Sequence, residues 1–213
     1  MKLKLMLAVV ALFASITNAS YAARGTDGNV SIVYWQAPSI LNPYLSSGTK
    51  DIESASLVIE PLGRYTETGA LVPFLAKEIP TVANGGVSAD LTSITWTLQE
   101  GLLWSDGTPV TSADVKFSAD YCMHPEGGCS QLAKFDGIKS ISIPDDLTIV
   151  VTFEGPMPNP YGPFMGGQTP IIQKAQFENC LGPKAQQCTE QNFNPIGTGP
   201  FVVTEFRPND VIQ

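Results

Sequence analysis

Residues 96–118 read Trp96-Thr97-Leu98-Gln99-Glu100-Gly101-Leu102-Leu103-Trp104-Ser105-Asp106-Gly107-Thr108-Pro109-Val110-Thr111-Ser112-Ala113-Asp114-Val115-Lys116-Phe117-Ser118, and three local signals follow one another along them. Ile94, Trp96 and Leu98 alternate with Thr95, Thr97 and Gln99, the period-two pattern of a half-buried strand. Asp106-Gly107-Thr108-Pro109 is turn chemistry. Thr111 then stands where a helix N-cap belongs, with Asp114 three residues on. An Asp there takes the place of the Glu or Gln of a capping box and sits near the positive end of the helix dipole. Val115, Phe117, Ser118 and Tyr121 carry the helix toward Cys122. Trp96, Leu98 and Trp104 are read as core side chains rather than ligand stackers.

The same reading extends in both directions. Val30–Trp35 is a β-prone run and is expected to be the first strand. Ala37–Tyr44 turns the chain. Ile52, Ala55, Ser56 and Ile59 have helical spacing, so a helix is expected from about Lys50 to Glu60, stopped by Pro61 and Gly63. Arg64–Thr66 and Ala70–Val72 flank Glu67-Thr68-Gly69 as a hairpin. Downstream, Ile138–Ile143 and Thr148–Phe153 are two strands joined through Pro144-Asp145-Asp146. Residues 155–170 hold five prolines, which predicts a long loop. A short helix is expected near Ile171–Phe177. Val202, Thr204 and Phe206 alternate again as a strand.

The N-terminus predicts export. Lys2 and Lys4 form a basic n-region, and Leu5–Ile16 is an apolar run of roughly a dozen residues, the size of an h-region. A spanning helix needs about twenty. Ser20-Tyr21-Ala22 suits cleavage before Ala23, because only small side chains fit the peptidase there. Without residues 1–22 the chain carries 10 basic and 20 acidic residues, a net charge of −10. Such a charge disfavours nucleic acid or an anionic membrane as partner. No cysteine lies near the cleavage point, so a freely diffusing rather than lipid-anchored form is expected.

The four cysteines fall in two local pairs, Cys122 with Cys129 and Cys180 with Cys188. In an oxidising compartment an even count reads as disulfides. Of three possible connectivities, nearest-neighbour pairing is the expected one. A metal reading of Cys122, His124 and Cys129 lacks a fourth ligand at zinc-like spacing.

Ser47-Gly48-Thr49-Lys50 matches S-x-x-K, and Ser105-Asp106-Gly107 faintly echoes S-D-N, the pattern of serine enzymes that react with penicillin. The third element is missing, since Ile196 and not lysine precedes Gly197-Thr198-Gly199. His124 is read as a loop histidine. Gly197 and Gly199 are read as allowing a backbone path that a Cβ would block. No catalytic residue is assigned.

Three stretches stand out in a fixed order. The first is residues 96–118. The second is Asp146-x-Thr148-Ile149-Val150-Val151-Thr152-Phe153-Glu154-x-Pro156. The third is Pro195-Ile196-Gly197-Thr198-Gly199-Pro200-Phe201, followed by Phe206-x-Pro208-Asn209-Asp210. Together they resemble the extracellular solute-binding proteins, family 5, that serve ABC importers of peptides and nickel, from about residue 28 to the end. The resemblance implies an α/β, two-lobed periplasmic-binding-protein-like fold of type II, with this chain supplying part of the first lobe. Residues 23–63 and 191–213 would belong to the main part of that lobe and 64–190 to its inserted subdomain. It further implies a non-catalytic, monomeric periplasmic protein without cofactor. Its partners would be a peptide or other small solute, such as nickel, and a membrane permease. Family members are far longer, so the chain is expected to be a fragment or a truncated product, and residues 23–213 alone are expected to bind no peptide tightly. The ligand-facing candidates lie in the loop after the first expected strand: Ser39, Ile40, Leu41, Asn42 and Tyr44.

Overall fold

The computed structural model describes Gly28 and residues 30–213. The expected leader, residues 1–22, lies outside the described residues. Residues 36–213 form one compact unit. No helix among the described residues is long and apolar enough to cross a membrane.

Helix α1 covers Thr49–Ala55, followed by the hairpin strands β1, Gly63–Tyr65, and β2, Leu71–Pro73. Strand β3 is Ser93–Thr97 and helix α2 is Ser112–Met123. Strands β4, Ile138–Asp145, and β5, Thr148–Phe153, come next. Short helices α3, Lys174–Phe177, and α4, Thr189–Phe193, lead to a last hairpin of β6, Phe206–Arg207, and β7, Val211–Ile212.

The stretch at 96–118 folds as its pattern predicts. Strand β5 lies between β3 and β4, antiparallel to both. The register sets Ile94 against Val151 and Trp96 against Ile149, so one face of the sheet is apolar and buried. The opposite face carries Ser93, Thr95, Thr97, Thr148 and Thr152, all half-buried. Pro144 sits in the edge strand β4, where a missing ladder N–H costs least. Helix α2 packs on β4 and β5. Its capping box forms: Thr111 N donates to Asp114 Oδ2 over 2.9 Å, and the Thr111 side chain accepts from the backbone at Asp114. The hairpin β4–β5, the hairpin β1–β2 and the proline-rich loop at 155–170 also follow the sequence reading. That loop returns against 60–63, where Leu62 N donates to Phe164 O over 2.9 Å and Ile171 N to Glu60 O over 2.9 Å.

Three elements differ from expectation. Val30–Trp35 is not a strand, and Val33 and Trp35 are 93% and 81% exposed. β-Branched composition favours a strand only where a neighbour supplies the ladder. Helix α1 ends at Ala55 rather than near Glu60. Beyond it the bonds tighten, with Leu57 N donating to Ser54 O and Val58 N to Ala55 O, while the Ser56 hydroxyl bonds back to Ile52 O, a contact that competes with regular helix. The alternation at Val202–Phe206 is not a strand either. Val203 is the buried residue and Val202 is exposed, and pairing begins only at Phe206, where a tight turn with Asn209 at φ 63° folds β7 back onto β6.

Candidate functional site

The five candidate residues fall in one tight loop. Asn42 caps a single 3-10 turn, Pro43–Leu45, its Oδ1 accepting from Tyr44 N over 3.1 Å. Asn at the cap and Pro directly after it are the residue types such a start favours. Leu41, Asn42 and Tyr44 are sealed from solvent, whereas Ser39 and Ile40 are half-buried. Of the five, therefore, only Ser39 and Ile40 present atoms to the outside.

Asp51, in the first turn of α1, holds both flanks of this loop. Its Oδ1 accepts from Ser39 N over 2.7 Å and its Oδ2 from the Ser46 hydroxyl over 2.7 Å. Lys50 Nζ donates to Asp51 Oδ1 over 2.8 Å and to Ser39 Oγ over 2.7 Å. Burial pushes the Asp51 carboxyl upward, but the hydrogen bonds from Lys50, Ser39 and Ser46 outweigh it and hold the group below the ordinary carboxylate range. Both charged side chains are nearly enclosed, at 10% and 3% exposure, so each is the other's main compensation.

Groups far along the chain complete the loop's surroundings. Asn42 Nδ2 donates to Asn192 Oδ1 over 2.8 Å and to the Tyr121 hydroxyl over 3.1 Å. Leu41 N donates to Asn192 O over 2.9 Å, and Ser130 N to Tyr44 O over 2.8 Å. Gln131 Nε2 donates to Ser46 O over 2.9 Å and Pro43 O over 3.3 Å. The Tyr44 hydroxyl donates to Pro170 O over 2.6 Å, and the Tyr44 ring lies 5.8 Å from that of Tyr121. Burial raises both phenols, Tyr121 to about 12 and Tyr44 further still, so neither ionises near neutral pH. Every polar atom of the Asn42 side chain is thereby satisfied, as burial requires.

Asp51, Tyr121, Gln131 and Asn192 are the residues that sequence reading missed. Asp51 has a local signal, an acid in the first turn of a helix. The other three act across 79 to 150 positions and leave no local trace.

The remaining motifs resolve into structure. Ser47 is exposed and no hydrogen bond joins it to Lys50 among the described residues. The Lys50 ammonium is given to Asp51 and Ser39 instead, so it is not placed to take a proton from Ser47. Cys122 is bonded to Cys129 and Cys180 to Cys188, the nearest-neighbour pairing, so the first pair's sulfurs are bonded to each other and not free to join His124 around a metal. Among the described residues no group of three or more His, Cys, Asp or Glu could hold an ion. His124 packs against Gly182, where a Cβ would lie 2.5 Å from its ring. At Gly197 a Cβ would lie 1.9 Å from Val58 O, and at Gly199 2.6 Å from Leu57 O. These two glycines let the returning chain lie directly on residues 57–58, where Gly199 N donates to Val58 O over 2.8 Å.

Comparison with known proteins gives this geometry a context. The family description "Bacterial extracellular solute-binding proteins, family 5 Middle" matches residues 70–213. Protein XP55 of Streptomyces lividans is 32% identical over 183 residues, 84% of this chain and 31% of that protein. A probable peptide ABC transporter periplasmic-binding protein of Sinorhizobium fredii is 34% identical over 121 residues, 56% of this chain and 21% of that protein. Among solved structures, the ABC transporter substrate binding protein CtaP of Listeria monocytogenes superposes with a TM-score of 0.68 at 26% identity, covering 82% of this chain and 34% of that one. NikZ of Campylobacter jejuni, solved in complex with Ni(L-His), gives 0.64 at 26% identity over 84% of this chain and 32% of that one. The chain thus spans about a third of the length of these solved structures and of XP55.

Proposed function

Because the chain belongs to the bacterial extracellular solute-binding proteins of family 5, whose solved members are two-lobed, we propose that it is the first-lobe portion of a solute receptor for an ABC importer, with peptides as the ligand class. The observation that carries this reading is the family match across 70–213, taken with peptide-binding relatives that align over half the chain. The receptor catches solute outside the cytoplasm and hands it to a membrane permease. It performs no chemistry on the solute: Lys50, the base a serine enzyme would need, is tied to Asp51. Delivery by the leader at 1–22 to an oxidising periplasm agrees with two disulfides and no free cysteine among the described residues. The receptor works as a monomer and without cofactor.

In this reading residues 23–63 and 191–213 belong to the main part of the lobe and 64–190 to its inserted subdomain. The bonds from Gly199 N to Val58 O and from Leu41 N to Asn192 O support that grouping. Ser39, Ile40, Leu41, Asn42 and Tyr44 form the ligand-facing loop, with Ser39 and Ile40 nearest the solute and Leu41, Asn42 and Tyr44 setting the loop's shape.

A second ligand class has one observation in its favour, the likeness to a protein solved with Ni(L-His). Titrating the full natural chain with trialanine, with tetraalanine and with Ni(II)–histidine, followed by tryptophan fluorescence, separates the two. Saturable response to the peptides with no hydrolysis is expected. Response to Ni(II)–histidine alone would reassign the ligand, and cleavage of the peptides would overturn the non-catalytic reading.

A further inference from the structure

The two disulfides lie at the places where the chain grips the loop 39–46. The first, Cys122–Cys129, is bracketed by its gripping groups. Tyr121, directly before it, accepts from Asn42 Nδ2, while Ser130 and Gln131, directly after it, donate to Tyr44 O and to the carbonyls of Pro43 and Ser46. Gln131 N also points at Cys129 Sγ, 3.4 Å away. The second, Cys180–Cys188, is tied to Asn192 in two ways. Asn192 N donates to Cys188 O over 3.0 Å, and Asn192 Nδ2 donates to Ala185 O, inside the disulfide loop, over 2.8 Å. From that fixed position Asn192 meets Leu41 N with its carbonyl and Asn42 with its amide. The two disulfide loops also touch each other, His124 of one lying on Gly182 of the other.

We propose that the two bridges are a positioning device for the loop 39–46: each fixes one gripping segment, and together they set the loop's shape. The loop itself contains no cysteine and is 76 or more positions from either bridge, so the effect is exerted through the segments that the bridges hold. Its bearing on solute binding rests on the reading of that loop as ligand-facing.

Each bridge has one enclosed cysteine, Cys122 and Cys180 at 1% exposure, and one half-buried partner, Cys129 and Cys188. A dithiol opens such a bridge by thiolate attack on the accessible sulfur. The S–S bond breaks, its electron pair leaves on the enclosed cysteine, and the accessible cysteine is held in a mixed disulfide until the reductant's second thiol attacks the reductant's first sulfur and expels that cysteine as a thiolate. Two electrons and two protons pass to the protein's sulfurs, and the reductant leaves as its own disulfide.

Amide hydrogen exchange on the full natural chain tests this, comparing the oxidised protein, the dithiothreitol-reduced protein, and the variants Cys122→Ala/Cys129→Ala and Cys180→Ala/Cys188→Ala. Opening the first bridge is expected to speed exchange at Ser130, and opening the second at Leu41, each by about tenfold or more, while the amides of β3 and β5 keep their protection. Unchanged exchange at Ser130 and Leu41 overturns the proposal. So does loss of protection in β3 and β5 in equal measure, since the bridges would then be holding the whole fold. Trialanine titration of the same samples separates this from the ligand reading. Weaker binding on reduction supports both. Faster exchange with trialanine binding unchanged or absent throughout supports the positioning role and overturns the ligand reading of the loop.

Discussion

Asn42 and Asn192 stand 150 positions apart, yet their side-chain amides meet, Asn42 Nδ2 donating to Asn192 Oδ1 over 2.8 Å in a place closed to solvent. Asn192→Ala removes that acceptor and also leaves Ala185 O without its donor. Buried groups left unpaired cost about 1–3 kcal/mol, so Asn192→Ala is expected to lower the unfolding free energy by about that much in urea denaturation. In a cycle with Asn42→Ala the two effects are expected to fall short of additivity by at least about 0.5 kcal/mol.

Asp51→Asn strands the Lys50 charge in an enclosed site. Breaking a buried pair from one side costs about 3–5 kcal/mol, and adding Lys50→Met is expected to recover part of the loss. The pH dependence has a definite sign. The folded-state Asp51 carboxyl titrates below its unfolded value, so its contribution is complete above the ordinary carboxylate value of about 4 and fades as pH falls through the lower folded value. Asp90 and Asp145 are also held low by hydrogen bonds of their own turns, and Asp106 by Thr108 of its turn together with Gln173. The difference between wild type and Asp51→Asn across acid denaturation is therefore the quantity to measure, and it is expected to shrink as pH falls below about 4.

Gly197→Ala puts a methyl into the Val58 carbonyl. The chain must shift to admit it, at a cost of about 1–3 kcal/mol or more. Gly101→Ala provides the contrast. Gly101 has φ +75°, and a Cβ there would have nothing within 4 Å, so only backbone strain of about 1–2 kcal/mol applies. Thermal melts of both variants should rank Gly197→Ala as the less stable.

Thr111→Ala removes the hydroxyl half of the α2 capping box and is expected to cost about 1 kcal/mol. Asp114→Ala should cost more, because Asp114 Oδ1 also accepts from Lys174 N over 2.9 Å and so ties the start of α2 to the start of α3. Urea midpoints of the two variants check the order.

Features that rest on nearby residues were legible in the sequence. The β3 alternation, the Thr111–Asp114 spacing and the hairpin at Pro144–Asp146 each involve a few consecutive positions, and the disulfides join cysteines seven and eight apart. Gly197 and Gly199 were legible as a close backbone approach, though not which backbone they meet. Features that depend on distant partners were hidden. Val30–Trp35 has strand composition, but composition does not say whether a neighbour supplies hydrogen bonds. At Val202–Phe206 the pattern gave the wrong face, since packing turned Val203 inward. Ser39, Ile40, Leu41, Asn42 and Tyr44 were read as ligand-facing from their place after the first expected strand, and nothing local announced that Asn192, Tyr121 and Pro170 engage the polar atoms of Asn42 and Tyr44.

The wide spacing of these contacts also governs time. A ribosome releases Leu41 and Tyr44 long before Tyr121, Gln131, Pro170 and Asn192, the groups that later enclose them. Until the last of those arrives, two apolar side chains and a buried-type asparagine must wait in water, in contact with whatever accompanies the nascent chain. Contacts of such long range are formed late and slowly. Loop 39–46 is thus made early and enclosed late, and the interval between is when a holding chaperone has most to offer it.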